Sequence, residues 1–159
     1  MSHFLVFVVG RRINVDFGDQ NIIPEGVSNQ DNYITSHAAH GKLFQTDAED
    51  YFLFSKGTFD WSRIVDVIIG RPGYDNYLVD YVFHRRSAIS FVDATNASKR
   101  MMHQSPPVLV VHQTDQDGVK AGFRNNPDVN WNLRIIGEMW YMGRTEFSSW
   151  RFGRIPRSS

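Results

Sequence analysis

Few residues in this chain are spaced for chemistry. The segment Gly70-Arg71-Pro72-Gly73-Tyr74-Asp75-Asn76-Tyr77 puts a carboxylate in the first turn of a helix, just after a glycine turn. Such glycines let a ligand come close to the backbone, so Asp75 is placed to meet one. A plainer role is open as well, because an acid in a first turn stabilises the helix dipole. Asp75 lies three residues before Leu78 and so shares its inward stripe, where a solvated dipole partner need not be. His112, with Gln113, Asp115 and Asp117 behind it, is placed either to hold a metal or ligand or to be a hydrogen-bonded structural histidine. His103-Gln104 offers the same pair nine residues earlier. Arg11 and Arg12 could meet a phosphate, although adjacent side chains on a strand point to opposite faces. The run Asp47-Ala48-Glu49-Asp50 is acidic, and such a run is ordinarily a solvated loop.

Composition removes several classes. The 159 residues make about one domain. Lys plus Arg and Asp plus Glu both number 17, so a nucleic-acid binder relying on bulk charge is not expected. There is no cysteine, hence no disulfide, thiolate metal site or cysteine nucleophile. The longest apolar run, Phe4 to Val9, is far below the ~20 residues that span a bilayer. Arg11-Arg12 follow it where a signal peptide would carry small residues. A soluble chain is expected, with its compartment open. Walker loop, HExxH, GxSxG and EF-hand patterns are absent from the sequence. Most basic residues are Arg and most acidic ones Asp, a bias toward forked contacts and turns.

The elements that must position these residues read as alternating strands and helices, which predicts an α/β layered domain. Residues 4–9 read as a buried strand ended by Gly10. Residues 18–27 read as a loop, and Ser28 to His40 as a helix capped by Ser28 and Gly41. Residues 51–54 and 89–92 read as strands, with one helical turn within 58–65. The best helix spans Tyr74 to Arg86. Its face of Leu78, Val79 and Val82 points inward, with Asn76, Asp80 and His84 on another side and Asp80 toward solvent. Residues 108–111 read as a strand after Pro106-Pro107. A last helix starts at Asn126-Pro127 and ends near Gly137. Residues 139–152 are aromatic and irregular or edge-like, and 153–159 should fray. One domain over 1–152 with a flexible tail is expected. Strand ends in such sheets collect ligands, and here they carry Gly10-Arg11-Arg12-Asn14-Asp16, Asp93-Ala94-Thr95 and His112-Gln113.

Taken in order, VVGRRINVDF (8–17), DYFLF (50–54), IIGRPGYDNYLVDY (68–81), VDAT (92–95), HQTDQDG (112–118) and WNL (131–133) resemble the C-terminal half of a family of nucleotide-diphospho-sugar transferase-like proteins. These are glycosyltransferase domains of GT-A type. The resemblance covers roughly residues 4–152, and its most specific part is GR-x-G-[WY]-DN-[WY]-L-V. It implies sugar transfer from a nucleotide-sugar donor to an acceptor hydroxyl, with Asp75 as general base in an inverting reaction. It also implies a divalent metal, Mn or Mg, with His112 as ligand and His103 as rival. Arg11, Arg71, Gly73, Tyr74, Asn76, Asp93, Thr95 and Gln113 are the substrate-binding candidates. The acidic DxD-type motif and the N-terminal nucleotide-binding half of that fold have no counterpart here, so a fragment, doubtfully active alone, is expected. Self-association through the apolar strand at Phe4 to Val9 is expected with it. A non-catalytic glycan- or protein-binding module acting through the aromatic tail is the alternative. A metal-dependent hydrolase using His112, Asp115 and Asp117 is a weaker one.

Overall fold

The computed structural model of the chain describes residues 4–16, 25–95, 110–113 and 130–151. Within them the fold is α/β, with two mixed sheets. The apolar run forms β1 (Leu5–Gly10), which lies between β4 (Tyr51–Phe54, antiparallel) and β5 (Ile89–Asp93, parallel). The short β7 (Trp150–Arg151) pairs with β5 at the far edge. The second sheet has the order β3 (Lys42–Leu43), β2 (Ile13–Val15), β6 (Val111–Gln113). Arg11 and Arg12 therefore carry the chain from one sheet to the other.

The first sheet is two-faced because side chains alternate along a strand. Phe7, Val9 and Phe91 are fully buried against α2 (Tyr74–Phe83), with Phe59, Leu78, Val79, Val82 and Ile136. Phe7 packs its ring on Phe52, Phe59 and Phe91 at 5.6–5.8 Å between centroids. On the other face, Leu53, Val8, Val92 and Trp150 form a row across all four strands. Leu53 and Trp150 at its ends are about half exposed. β1 is interior to this sheet, whose edges are β4 and β7, so the apolar first strand is not itself an edge.

Helix α1 spans Val27–His40, with Gly26 at its N-cap and Ser28 inside it. Helix α2 ends at Phe83, three residues early, and Arg85 and Arg86 lie in the turns that follow. Every residue from Asn76 to Val82 is buried, so α2 is covered all round rather than on one stripe. The second cover is the chain after α3 (Trp131–Ile136). Met142 donates its N–H to Asp80 Oδ1 at 2.9 Å, and Gly143 lies against the first turn. Asp80 is 6% exposed, which corrects its expected place on the solvent side. Strands β2 and β3 were not legible beforehand, being only three and two residues long. The 3-10 turns at Trp61–Arg63 and Thr145–Phe147 agree with the expected single turn and irregular tail. Positions 18–24, 108–109, 126–127 and 153–159, on which other expectations fell, lie outside the described residues.

Candidate active site: a carboxyl pair at the start of α2

The turn before α2 is fixed by main-chain constraints. Gly73, at φ 81°, adopts a left-handed conformation that disfavours other residues, and a Cβ there would lie 2.8 Å from Leu133. The fully buried Asn132 clamps the approach. Its Oδ1 accepts from Ile68 N at 2.7 Å, and its Nδ2 donates to the carbonyls of Ile68 and Arg71. The side chain thus supplies the pairing that an irregular segment cannot make for itself. Asp75 follows in the first turn, half-buried.

Asn76 ties two separate segments, residues 47–49 and Gly143, to that turn. Its Nδ2 donates to the carbonyls of Asp47 and Gly143, both at 2.8 Å, and to Glu49 Oε2 at 3.2 Å. Gly143 must be glycine for this approach, because a Cβ would lie 2.0 Å from the Asn76 carbonyl oxygen. Glu49 is thereby held beside Asp75 and is only 4% exposed. The acidic run is not solvated throughout: Asp47 is exposed, but Glu49 is buried and Asp50 partly so, which corrects the reading of residues 47–50.

Residues 49, 50 and 51 each face a different partner. Glu49 faces Asp75, and burial together with the Asp75 charge pushes its carboxyl up to about 9. Asp50 pairs with the Arg12 guanidinium and also accepts from the Arg12 N–H at 3.1 Å. Arg12 is thus committed to Asp50, and Asp75 is pushed up to about 6, chiefly by burial. Main-chain N–H groups of Asp75, Asn76 and Glu49 pull it partly back, while the Asp50 charge adds to the rise. Tyr51 lies across Gly10, where a Cβ would meet its hydroxyl at 2.0 Å. Burial and the Asp93 carboxylate push that hydroxyl up to about 12, so it stays a donor at neutral pH.

The ends of the parallel strands β1 and β5 bring three of the expected residues together. Arg11 N donates to Thr95 Oγ1 at 3.2 Å, and Thr95 N donates to Asp93 Oδ1 at 2.9 Å. Arg151 Nε lies 3.8 Å from Asp93 Oδ2. Arg71 stands in the turn with its Nε buried and unpartnered, and burial and Asp75 raise the Tyr74 hydroxyl. His112 is elsewhere, on β6 opposite Asn14 in the second sheet, and its buried Nδ1 has no partner. Gln113 follows it on the same strand, opposite Val15. His103, Asp115 and Asp117 lie outside the described residues. Among the described residues no three His, Asp or Glu side chains gather to hold a metal ion. Helices long and apolar enough to cross a membrane are likewise absent among them.

A cleft of about 960 Å³ between α1 and β2–β3 is lined by Asn14, Asp16, His37, His40 and Lys42, among others. It contains none of Asp75, Glu49 or Asp93, and volume alone gives it no chemistry. The carboxyl pair is the better candidate, because perturbed acids held by specific contacts are what acid–base work requires. The fold and site thus define a mixed α/β domain with two carboxyls of separated acidity at a helix start. No protein-family model, curated protein or solved structure matches the chain.

Proposed function

We propose that this chain is a glycosyltransferase-like domain of GT-A type that carries the acceptor side of sugar transfer. The donor is a nucleotide-sugar and the acceptor a hydroxyl compound. The observation that carries the reading is the place of Asp75: a half-buried carboxyl in the first turn of α2, after a glycine turn clamped by Asn132. With its acidity near pH 6, Asp75 is largely ionised at neutral pH yet basic enough to take a proton.

In the step proposed, Asp75 accepts the acceptor's hydroxyl proton as the oxygen bonds to the anomeric carbon. The bond from that carbon to the nucleotide diphosphate breaks, and the diphosphate leaves with the electron pair. The configuration inverts. Arg11, Thr95 and Asp93 line the ends of β1 and β5, where the sugar or its diphosphate would meet polar groups. The divalent metal that such a reaction commonly uses, with His112 or His103 as ligand, remains part of this proposal.

The test is turnover of a panel of nucleotide-sugars by the wild-type chain and Asp75→Asn, alone and with a donor-binding half supplied. Transfer should fall by ~10²–10⁴-fold in Asp75→Asn while the fold persists. Wild-type transfer should rise with pH through about 6. Equal turnover in the two proteins refutes Asp75 as base. A second reading, a non-catalytic glycan- or protein-binding module, is favoured by the exposed rings of Tyr141, Phe147 and Trp150. It predicts glycan binding that Asp75→Asn leaves unchanged.

A further inference from the structure

We propose that Glu49 and Asp75 hold a single proton between them at neutral pH, with Glu49 as the positioning residue that sets the basicity of Asp75. This rests on the reading of Asp75 as the base, and adds to it a second carboxyl with a defined role.

Asn76 Nδ2 donates to Glu49 Oε2, so that oxygen acts as acceptor. The other oxygen, Oε1, is fully buried and has no hydrogen-bond partner. An ionised carboxylate would leave a bare charge there, whereas a carboxylic acid places its O–H on Oε1 and needs only one acceptor. Asn76, which holds Glu49, directly follows Asp75, and the Asp75 charge acts on Glu49. Like charges so placed disfavour ionising together. Asp75 is assigned as the acceptor of an Oε1–H, because its charge acts on Glu49 and its neighbour Asn76 holds the other oxygen.

On the same loop, Asp47 and Asp50 are both acids, and Asp50 is occupied by Arg12. On α2, Asp75 and Tyr74 are the ionisable neighbours, and Tyr74 is itself raised by Asp75. From the 142–143 segment the site receives a carbonyl, through Asn76, and no charge. Among the described residues no cation is paired with Glu49. Its burial also keeps Oε1 from reaching a ligand directly, so Glu49 acts through Asp75, the half-buried member.

The chain has four glutamates, Glu25, Glu49, Glu138 and Glu146, which makes the test direct. The full chain, carrying carboxyl-13C Glu and Asp, is titrated by NMR. One Glu signal should titrate far above the other three and vanish in Glu49→Gln. In Asp75→Asn that step should move down by about one pH unit or more, because the neighbouring charge is gone. Four Glu signals near the ordinary value, or a Glu49 step that ignores Asp75→Asn, would overturn the proposal. If Asp75→Asn does not fold, the wild-type Asp75 signal decides. It should show its main step and a second, smaller inflection at the Glu49 step, and a single inflection overturns the pairing. Turnover plays no part, so the two readings fail separately. A chain that transfers no sugar yet shows this titration loses the transferase reading and keeps the proton pair, and the converse also holds.

Discussion

Glu49→Gln should stabilise the protein, and the gain should depend on pH. Gln keeps the shape of the neutral acid and an oxygen for Asn76 Nδ2. In the unfolded chain Glu49 loses its proton near 4.5, and in the fold it keeps it to about 9. Between those values the unfolded state binds fewer protons than the native one, so wild-type stability falls as pH rises. The stabilising contribution of the proton is fully present below 4.5 and is lost progressively up to about 9. From 4.5 to pH 7 is two and a half units, or about 3 kcal/mol at about 1.4 kcal/mol per unit. Gln does not titrate and escapes this loss. The two proteins should therefore melt within about 1 kcal/mol of each other at pH 4.5 and diverge to about 3 kcal/mol at pH 7. For a domain of this size that is about 6–12 °C in Tm. Asp75 titrates in both proteins, so the difference between their melting curves reports Glu49 together with its coupling to Asp75. Denaturant and thermal melts at half-unit steps from pH 4.5 to 8 measure it. An offset that stays constant with pH would show that Glu49 is ionised in the fold, and the argument from its burial would be wrong.

Two further substitutions test how α2 is held. Asp80→Ala strands the Met142 N–H and should cost about 1–3 kcal/mol in denaturant unfolding. Asp80→Asn keeps an accepting oxygen and should cost less, so equal losses would refute the role of that bond. Gly143→Ala drives a Cβ into the Asn76 carbonyl and should cost about 1–3 kcal/mol or more in thermal melts. An unchanged melt would mean that residues 142–143 do not press on the helix.

The sequence by itself determined the elements whose signals are local. Phe4 to Val9 is apolar without interruption, and it became the central strand β1. Gly70 and Gly73 announced a turn, and Tyr74 announced a helix with Asp75 in its first turn, because backbone freedom and dipole preference are written in a few adjacent residues. The polar ends of β1 and β5 were legible for the same reason, and Arg11, Asp93 and Thr95 do meet there. Short strands such as β2 and β3 were not, since two or three residues carry no period.

Only the tertiary structure decided which polar residues would be buried. Glu49 stood in an acidic run that looks solvated, and nothing within several residues of it says otherwise. It is buried because Asn76, 27 positions away, draws it against α2. Asp80 reads from its spacing as solvent-facing and is instead a hook for Met142, 62 positions on. A helix pattern shows which stripe faces the sheet, but not that a later segment will cover the other side. Burial of a charge depends on what arrives from afar, and the acidity of Glu49 and Asp75 follows from that burial. The residues of the site were thus readable one at a time, while their pairing came from contacts that the chain makes only when folded.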